Sequence, residues 1–326
     1  MRLHLHPRLV LLALAAAVLV FVAVGCGRES EETSANQSDA ASTLSGKIEA
    51  DGSSTVGPLV TAAAELFQEE NSDVQVTVGI SGTGGGFERF CAGETDLSNA
   101  SRPIKDDEEA PLCLDAGIEY TDFQVATDAL TVVVNPENDW VDCLTTDQLK
   151  KMWEPAAEGK VKTWQDVDPS FPDEPLVLSG PGTDSGTFDY FTDEINGEEG
   201  ASRADFQASE DDNVIVEAVA GEKGGLGYFG FSYFEQNQDA LKALAIDSGA
   251  GCIEPSAENA QAGEYTPLAR PLFVYTKNEA LARPEVEEFI RYMLDNNQEI
   301  TETALFIPLT DEQLTDGQAK LDGATG

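Results

Sequence analysis

One stretch of the chain indicates the fold class: residues 74–91, which read VQVTVGISGTGGGFERFC. Its first part alternates valine or isoleucine with smaller or polar residues, which is the two-residue period of a β-strand. Residues 81–86 then form a loop of Ser, Thr and Gly, and a short helix is predicted over residues 87–91. A strand, a small-residue loop and a helix in this order are the building unit of an α/β fold.

The same unit occurs twice more along the chain. The segment GSSTVG at residues 52–57 follows a predicted strand, and Pro58 favours a helix after it because proline suits the first helical turn. The segment PGTDSGT at residues 181–187 lies between a predicted strand over 176–178 and a predicted helix over 188–195. This alternation predicts an α/β fold with largely parallel sheets. Ligands of such sheets bind beyond the carboxyl ends of the strands, where all three loops lie.

The remaining segments fit the same class. Residues 122–134 are a long strand-forming stretch that suits a crossover between domains. Residues 213–220 and 284–294 are predicted helices, residues 225–233 an aromatic strand and turn, and residues 272–276 a strand.

The three loops together predict a site for a small anion. A loop of Gly, Ser and Thr before a helix presents unpaired backbone N–H groups, and the helix dipole adds positive potential there. Glycine lets the backbone approach a ligand closely, and the hydroxyl groups add uncharged donors. Each loop also has a plainer explanation, because residues 82–86 alone could be a flexible turn and Ser185 could be only a helix N-cap.

Better-known loop motifs do not fit these segments. No Gly-Lys-Ser/Thr follows the glycines at residues 82–86, so the segment is not a P-loop, and Phe87 breaks the dinucleotide pattern. The DSGT segment at residues 184–187 resembles an aspartic-protease signature, but that chemistry needs two such carboxylates and no second copy occurs.

Arg102 is a further candidate ligand. It follows a strand-like segment at residues 95–99, and its forked guanidinium suits a tetrahedral oxyanion. The alternative is a surface arginine that pairs with Asp106 or Glu108.

Charge and histidine content exclude several function classes. The chain has 60 acidic and 19 basic residues and a formal net charge of −41. This argues against nucleic acid and anionic membrane surfaces as partners. The two histidines, His4 and His6, lie at the extreme N-terminus, so the rest of the chain lacks the base of Ser-His-Asp and Cys-His catalysis and the usual zinc ligand. The sequence therefore predicts a protein that is not an enzyme and needs no metal or cofactor.

The N-terminus predicts export. Two arginines precede an apolar run over residues 9–24, which is shorter than the roughly 20 residues of a membrane-spanning helix and resembles a secretory signal. The run ends in AVGC, which resembles a bacterial lipobox, so we expect removal of residues 1–25 and acylation of Cys26. An ordinary signal peptide or a membrane anchor with an incidental cysteine is the alternative. Residues 26–45 are polar and are expected to be a flexible tether.

The other four cysteines, Cys91, Cys113, Cys143 and Cys252, suggest two disulfides, because exported proteins meet oxidising conditions. Three pairings are possible. The pairing Cys91–Cys113 and Cys143–Cys252 is favoured because the first two lie close in sequence, and four reduced, buried thiols are the alternative.

Four motifs resemble the phosphate-binding protein of the bacterial ABC phosphate importer, a type II periplasmic-binding-protein-like family. They are DGSST at residues 51–55, GISGTGGGF at 79–87, SNASRPI at 98–104 and GTDSGTF at 182–188. The resemblance runs from about residue 47 to about residue 308. It implies two α/β domains joined by two crossover strands, with the ligand in the interdomain cleft.

The resemblance also implies boundaries and partners. Domain I would comprise residues 46–125 and 260–326, and domain II residues 126–259. A monomer outside the cytoplasm, anchored to the membrane through its N-terminal lipid, would capture inorganic phosphate and deliver it to a membrane permease with cytoplasmic ATPases.

The resemblance further implies ligand-binding residues, because Ser54, Thr55, Ser81, Thr83, Ser185, Gly186 and Thr187 match phosphate-contacting positions of the family. With Gly84, Arg102 and Asp184 added from the residues themselves, the expected set is Ser54, Thr55, Ser81, Thr83, Gly84, Arg102, Asp184, Ser185, Gly186 and Thr187. Another branch of the family has an aspartate at the position of Arg102, which accepts a proton from phosphate and so rejects sulfate, and an arginine at the position of Pro181. In this chain Arg102 is expected to replace the missing arginine, and Asp184 to be the proton acceptor. The alternative for Asp184 is that it only caps the helix predicted to start near Phe188.

Other functions remain open at this level. The site could take sulfate, molybdate or a phosphorylated organic solute. The chain could also be an extracytoplasmic phosphohydrolase, or an adhesion or sensory lipoprotein that binds no anion tightly.

Overall fold

The structure is a computed structural model that describes residues 44–183 and 185–326. The predicted signal peptide, the acylation site Cys26 and most of the predicted tether lie outside the described residues, and so does Asp184. None of the helices in the described ranges is both long enough and apolar enough to cross a bilayer.

The described residues form alternating strands and helices. The strands are β1 Gly46–Gly52, β2 Val74–Val78, β3 Leu97–Ala100, β4 Tyr120–Val134, β5 Cys143–Thr145, β6 Val177–Pro181, β7 Gln207–Ser209, β8 Gly225–Gly230, β9 Lys242–Ala243, β10 Ala245–Asp247, β11 Cys252–Ile253 and β12 Ala269–Lys277. The α-helices are α1 Val56–Glu70, α2 Gly82–Cys91, α3 Ala110–Asp115, α4 Thr146–Trp153, α5 Trp164–Val167, α6 Gly186–Phe191, α7 Asp212–Gly221, α8 Phe231–Glu235, α9 Ala257–Gln261, α10 Asn278–Leu281, α11 Pro284–Asp295, α12 Asn297–Thr303 and α13 Asp311–Thr325. A 3₁₀ turn at Pro155–Ala157 follows α4, and a π-helical turn at Thr192–Asn196 follows α6.

The large sheet has the strand order β2-β1-β3-β12-β4-β8-β6-β7, and β9 pairs with β4. Its two flanks are parallel, with β1 between β2 and β3, and β6 between β7 and β8. The two central strands, β4 and β12, run antiparallel to each other and to their neighbours. The predicted α/β class is therefore confirmed, but the expectation of largely parallel sheets is wrong at the centre. There β4 carries the chain from the β2-β1-β3 flank of the sheet to the β8-β6-β7 flank, and β12 carries it back.

Two hydrophobic cores lie along this sheet. The first core packs α1, α11 and α13 against β1, and the second core packs α4, α6 and β8 together. Strand β4 contributes Phe123 to the first core and Leu130 to the second, so it is the crossover that the sequence predicted. On this basis we propose that the domain boundaries lie between residues 125 and 126 and between residues 259 and 260. Because Leu268 packs in the second core, it favours a second boundary closer to the start of β12.

The glycine-rich segment after β2 is helical, not a loop. Helix α2 begins at Gly82, whereas the sequence predicted its start near Phe87. A Cβ at Gly86 would lie 2.5 Å from the Cα of Gly52, so α2 packs on the end of β1 at a distance that only glycine allows. Helix α1 likewise begins at Val56, two residues before Pro58.

Both predicted disulfides are confirmed. Cys91 is bonded to Cys113, and Cys143 is bonded to Cys252. The first bond ties α2 to α3, and the second ties β5 to β11 at the small sheet of order β11-β10-β5.

Candidate ligand-binding site

A cavity of about 420 Å³ lies where α1, α2 and α6 begin. It is lined by Ser53, Ser54, Thr55, Ser81, Gly82, Thr83, Gly84, Gly85, Ser101, Arg102, Pro103, Gly186, Asp189, Tyr190, Asp193, Glu194, Glu199, Arg270 and Pro271. Seven of the ten residues that the sequence predicted as ligands are in this lining: Ser54, Thr55, Ser81, Thr83, Gly84, Arg102 and Gly186.

The start of α1 is organised by Ser53. Its hydroxyl oxygen accepts hydrogen bonds from the backbone N–H groups of Thr55 at 3.2 Å and Val56 at 3.3 Å. This leaves the hydroxyl groups of Ser54 and Thr55 on the cavity wall. Ser53 lies in the same DGSST segment but was not among the predicted ligand residues.

The start of α2 is fixed by side chains from two strands. Ser81 donates its hydroxyl proton to buried Asp51 at 2.6 Å, and Asp51 also pairs with Arg89. The hydroxyl oxygens of Thr83 and Ser101 are 3.0 Å apart, and the Ser101 N–H donates to Thr83 at 3.3 Å. These bonds anchor the hydroxyl groups that line this side of the cavity.

At the start of α6, Ser185 has the helix-capping geometry that the sequence offered as the alternative to ligand binding. The Ser185 hydroxyl accepts a hydrogen bond from the Thr187 N–H at 3.2 Å. A Cβ at Gly186 would lie 2.8 Å from the Thr55 Oγ1 and 3.4 Å from the Ser54 Oγ. The first and third predicted loops therefore meet, and glycine at position 186 is what lets them approach.

Arg102 lines the cavity but is already paired. Its Nη1 donates to Glu109 Oε2 at 2.8 Å, and its Nη2 donates to Glu109 Oε1 at 2.7 Å. The sequence predicted Asp106 or Glu108 as the alternative partner of Arg102, and in the structure the partner is Glu109. Donating hydrogen bonds to Glu109 raises the pKa of Arg102. Burial opposes ionisation of Glu109, but the hydrogen bonds from Arg102 and from the Lys105 N–H hold the pKa of Glu109 below its usual value.

A second arginine at the cavity, Arg270, was missed. It lies on β12 opposite Asp128 of β4, and the two side chains form an ion pair with Nε and Oδ2 3.2 Å apart. Its Nη2 donates to the Thr55 Oγ1 at 2.9 Å. The scarcity of arginine, which drew attention to Arg102, applies equally to Arg270 and is the signal that could have found it.

Four carboxylates also line the cavity: Asp189, Asp193, Glu194 and Glu199. Burial and the charge of Glu199 raise the pKa of Asp189, against the opposing charge of Arg270. Burial and the charge of Asp193 raise the pKa of Glu194. The cavity therefore combines uncharged donors and two arginines with four carboxylates, of which Asp189 and Glu194 hold protons more readily than usual.

This fold and site define a class of solute-binding proteins. Residues 37–297 match the family model described as a PBP superfamily domain. The chain is 49% identical over 263 residues to Protein SphX of Synechococcus elongatus, covering 80% of this chain and 77% of that protein. It is 42% identical over 283 residues to the phosphate-binding protein PstS of Staphylococcus saprophyticus, covering 86% of each.

The solved structures agree with these relatives. A possible phosphate binding protein from Planctomyces limnophilus superposes with a TM-score of 0.82 at 44% identity, covering 87% of this chain and 100% of that one. A putative phosphate ABC transporter substrate-binding protein from Clostridium perfringens, solved with bound phosphate, gives a TM-score of 0.55 at 26% identity, covering 81% and 100%. The chain belongs to the PBP superfamily and, within it, to the family of PstS phosphate-binding proteins.

Proposed function

We propose that this protein binds inorganic phosphate outside the cytoplasm and delivers it to an ABC permease. The observation that carries the proposal is the convergence of three helix starts on one cavity, with Gly186 packed against Thr55. Unpaired N–H groups, helix dipoles and hydroxyl groups then point at the same small volume, which suits a compact oxyanion.

The strongly negative net charge does not oppose this function. Surface carboxylates are screened beyond roughly 8 Å at physiological salt. The donors in the cavity act within a few ångströms and are held in place by Ser53, Ser81 and Thr83. The net charge of −41 should therefore slow capture of an anion more than it weakens the bound state.

The cavity carboxylates favour phosphate over sulfate. Phosphate near neutral pH can retain a proton and donate it to a carboxylate, whereas sulfate has no proton to donate. An unpaired negative charge in a partly buried site costs free energy. Asp189 and Glu194, whose pKa values are raised by burial, are the described residues that would impose this cost on sulfate. The predicted acceptor Asp184 remains a second candidate.

Export, anchoring and partners belong to the same proposal. Residues 1–25 would be removed, Cys26 would carry the lipid, and the monomer would pass its ligand to the permease and its ATPases. Replacement of Cys26 by serine tests the anchor: the protein should move from the membrane fraction to the soluble fraction, and unchanged membrane retention would contradict acylation.

Calorimetry of ligand-stripped protein tests the function. We expect phosphate to bind at one site per chain, and Thr83→Val to weaken binding about 10-fold because it removes one hydroxyl that lines the cavity. Thr315→Val, which removes an exposed hydroxyl on α13, is the matched control and should bind as the wild type does. Heat with sulfate or molybdate but none with phosphate would overturn the proposal. An assay for phosphate release from phosphate esters tests the alternative of a hydrolase.

A further inference from the structure

Arg270 contacts residues on two sides of the cavity. It lies on the crossover strand β12, and its side chain is only 16% exposed. It reaches Thr55, next to the start of α1, and Tyr190 on α6, so it contacts residues of both loop–helix units that meet at Gly186.

The guanidinium of Arg270 is held on three sides. Asp128 lies opposite Arg270 in the β4–β12 register and pairs with Nε, and Thr55 accepts from Nη2. The guanidinium carbon lies over the Tyr190 ring, 3.6 Å from the ring centroid. Arginine has five N–H donors. Within residues 44–183 and 185–326 these contacts use two of them, so donors remain for a ligand in the cavity.

Arg102 is differently placed. Both of its terminal nitrogens donate to Glu109, and its side chain is 35% exposed. To bind an anion through its forked end, Arg102 would first have to leave a carboxylate that neutralises it. Asp128, in contrast, pairs with Nε of Arg270 and does not line the cavity, so the forked end of Arg270 is not engaged by a carboxylate there.

We infer that Arg270, and not Arg102, supplies the fixed positive charge that binds the anion, with Asp128 and Tyr190 as positioning residues. This inference rests on the proposed function, since it concerns the same cavity. A planar guanidinium fixed before the ligand arrives loses little side-chain freedom on binding, and it can donate two parallel hydrogen bonds to a tetrahedral oxyanion.

Titration calorimetry of four variants tests the inference, with phosphate, sulfate and molybdate as probes. Arg270→Gln should weaken binding about 100-fold, because the charge and the fork are both lost. Arg270→Lys should weaken it about 10-fold, since the charge remains and the fork is lost. Arg102→Gln should cause a clearly smaller loss than Arg270→Gln. Arg291→Gln, on α11 and outside the cavity, removes an arginine paired with Glu287 and Asp322 and should bind as the wild type does.

The outcomes separate the inference from the proposed function. If the wild type binds phosphate and Arg270→Gln binds it equally well, or if Arg102→Gln causes the larger loss, the inference is overturned and the function stands. If the wild type binds sulfate or molybdate in place of phosphate, the proposed function is overturned. The affinities of the Arg270 and Arg102 variants for that anion then decide the inference by the same criteria. Binding of none of the three overturns both.

A structural role for Arg270 is distinguished by a second measurement. A residue that only braces β4 against β12 would lower the melting temperature in Arg270→Gln and leave affinity unchanged in the folded fraction. If Arg270→Gln does not fold, Arg270→Lys decides: about 10-fold weaker binding supports the inference, and wild-type affinity overturns it.

Discussion

The guanidinium carbon of Arg270 lies 3.6 Å from the centroid of the Tyr190 ring. At this distance the cation and the aromatic face attract each other, by about 2 kcal/mol when the pair is shielded from water. The Tyr190 hydroxyl donates to the Pro267 carbonyl at 2.5 Å, which fixes the ring. The Tyr190 ring on α6 thus supports the guanidinium of Arg270 on β12.

The first prediction separates the Tyr190 ring from its hydroxyl. Tyr190→Phe should lose about 1 kcal/mol of stability with the bond to Pro267 and only a little phosphate affinity. Tyr190→Leu should also lose the stacked face and bind phosphate about 10-fold more weakly. Calorimetry of Tyr190→Leu in the Arg270→Gln background completes a double-mutant cycle. An equal loss in both backgrounds would show that the ring does not act through Arg270.

The second prediction concerns the pH dependence of the Arg102–Glu109 pair. Because the pKa of Glu109 is lowered in the folded protein, its ionised form stabilises the fold above the unfolded value near 4.5, and this stabilisation is lost as pH falls through the folded pKa. Glu109→Gln should therefore cost about 1 kcal/mol at pH 7, a modest value because Arg102 is partly exposed. The cost should shrink in strong acid.

Urea unfolding at several pH values measures that cost. Glu108→Gln is the matched control, since Glu108 is exposed and pairs with the exposed Lys105; it should change stability by less than about 0.5 kcal/mol. A Glu109→Gln deficit that grows as the pH falls would contradict the assigned direction of the pKa shift.

Local sequence patterns pointed to seven of the 19 residues that line this cavity. Three segments of Gly, Ser and Thr each precede a helix, and the chemistry of a helix start is set by neighbours a few residues away. This is why Ser54, Ser81 and Gly186 were found without a structure, and the structure brings them to one cavity.

The missed residues depend on contacts between distant parts of the chain. Arg270 and Asp128 face each other only because β4 and β12 pair in a particular antiparallel register, 142 residues apart in sequence. Glu109 is only seven residues from Arg102, but it was not recognised as its partner because the turn between them, in which the Lys105 N–H donates to Glu109, was not predicted. The early start of α2 was missed because glycine disfavours helix, and the close packing of Gly86 on Gly52 is visible only in the structure.

The third prediction compares the two disulfides. The chain-entropy model values a bridge by the loop it closes, so Cys91–Cys113, with a separation of 22, should contribute about 3.4 kcal/mol. Cys143–Cys252, with a separation of 109, should contribute about 4.8 kcal/mol. Each contribution is the difference in unfolding free energy between oxidised and reduced protein in a variant that lacks the other bridge. The reverse order would show that native strain or residual unfolded structure outweighs loop entropy.

The fourth prediction concerns the packing of α2 on β1. Gly86→Ala should destabilise the protein by about 2 kcal/mol or more, because the new methyl group would lie 2.5 Å from the Gly52 backbone. Gly221→Ala is the matched control in α7, where a Cβ meets open space, and it should stabilise by about 0.5–1 kcal/mol. Thermal unfolding measures both. A stabilised Gly86→Ala would mean that α2 can move away from β1 at little cost.

The last prediction concerns selectivity between phosphate and sulfate. Asp189 lines the cavity one helical turn after the Ser185 cap, and burial and Glu199 raise its pKa. Its ionised carboxylate can accept the proton of phosphate but leaves sulfate facing a negative charge. Asp189→Asn replaces that charge with an amide that can donate, so sulfate should gain affinity and the phosphate-to-sulfate ratio should fall at least about 10-fold.

The pH dependence of the wild type provides a second test of Asp189. As the pH falls through the raised pKa of Asp189, the protonated carboxyl becomes a donor, so sulfate should bind more tightly in acid, and Asp189→Asn should abolish this rise. Asp184→Asn tests the acceptor predicted from the sequence, and Asp173→Asn, at an exposed position, controls for the change of net charge. If Asp184→Asn lowers the phosphate-to-sulfate affinity ratio and Asp189→Asn does not, Asp184 is the residue that accepts the phosphate proton. If neither variant changes the phosphate-to-sulfate ratio, neither Asp184 nor Asp189 sets selectivity, and Glu194 or the donor geometry does.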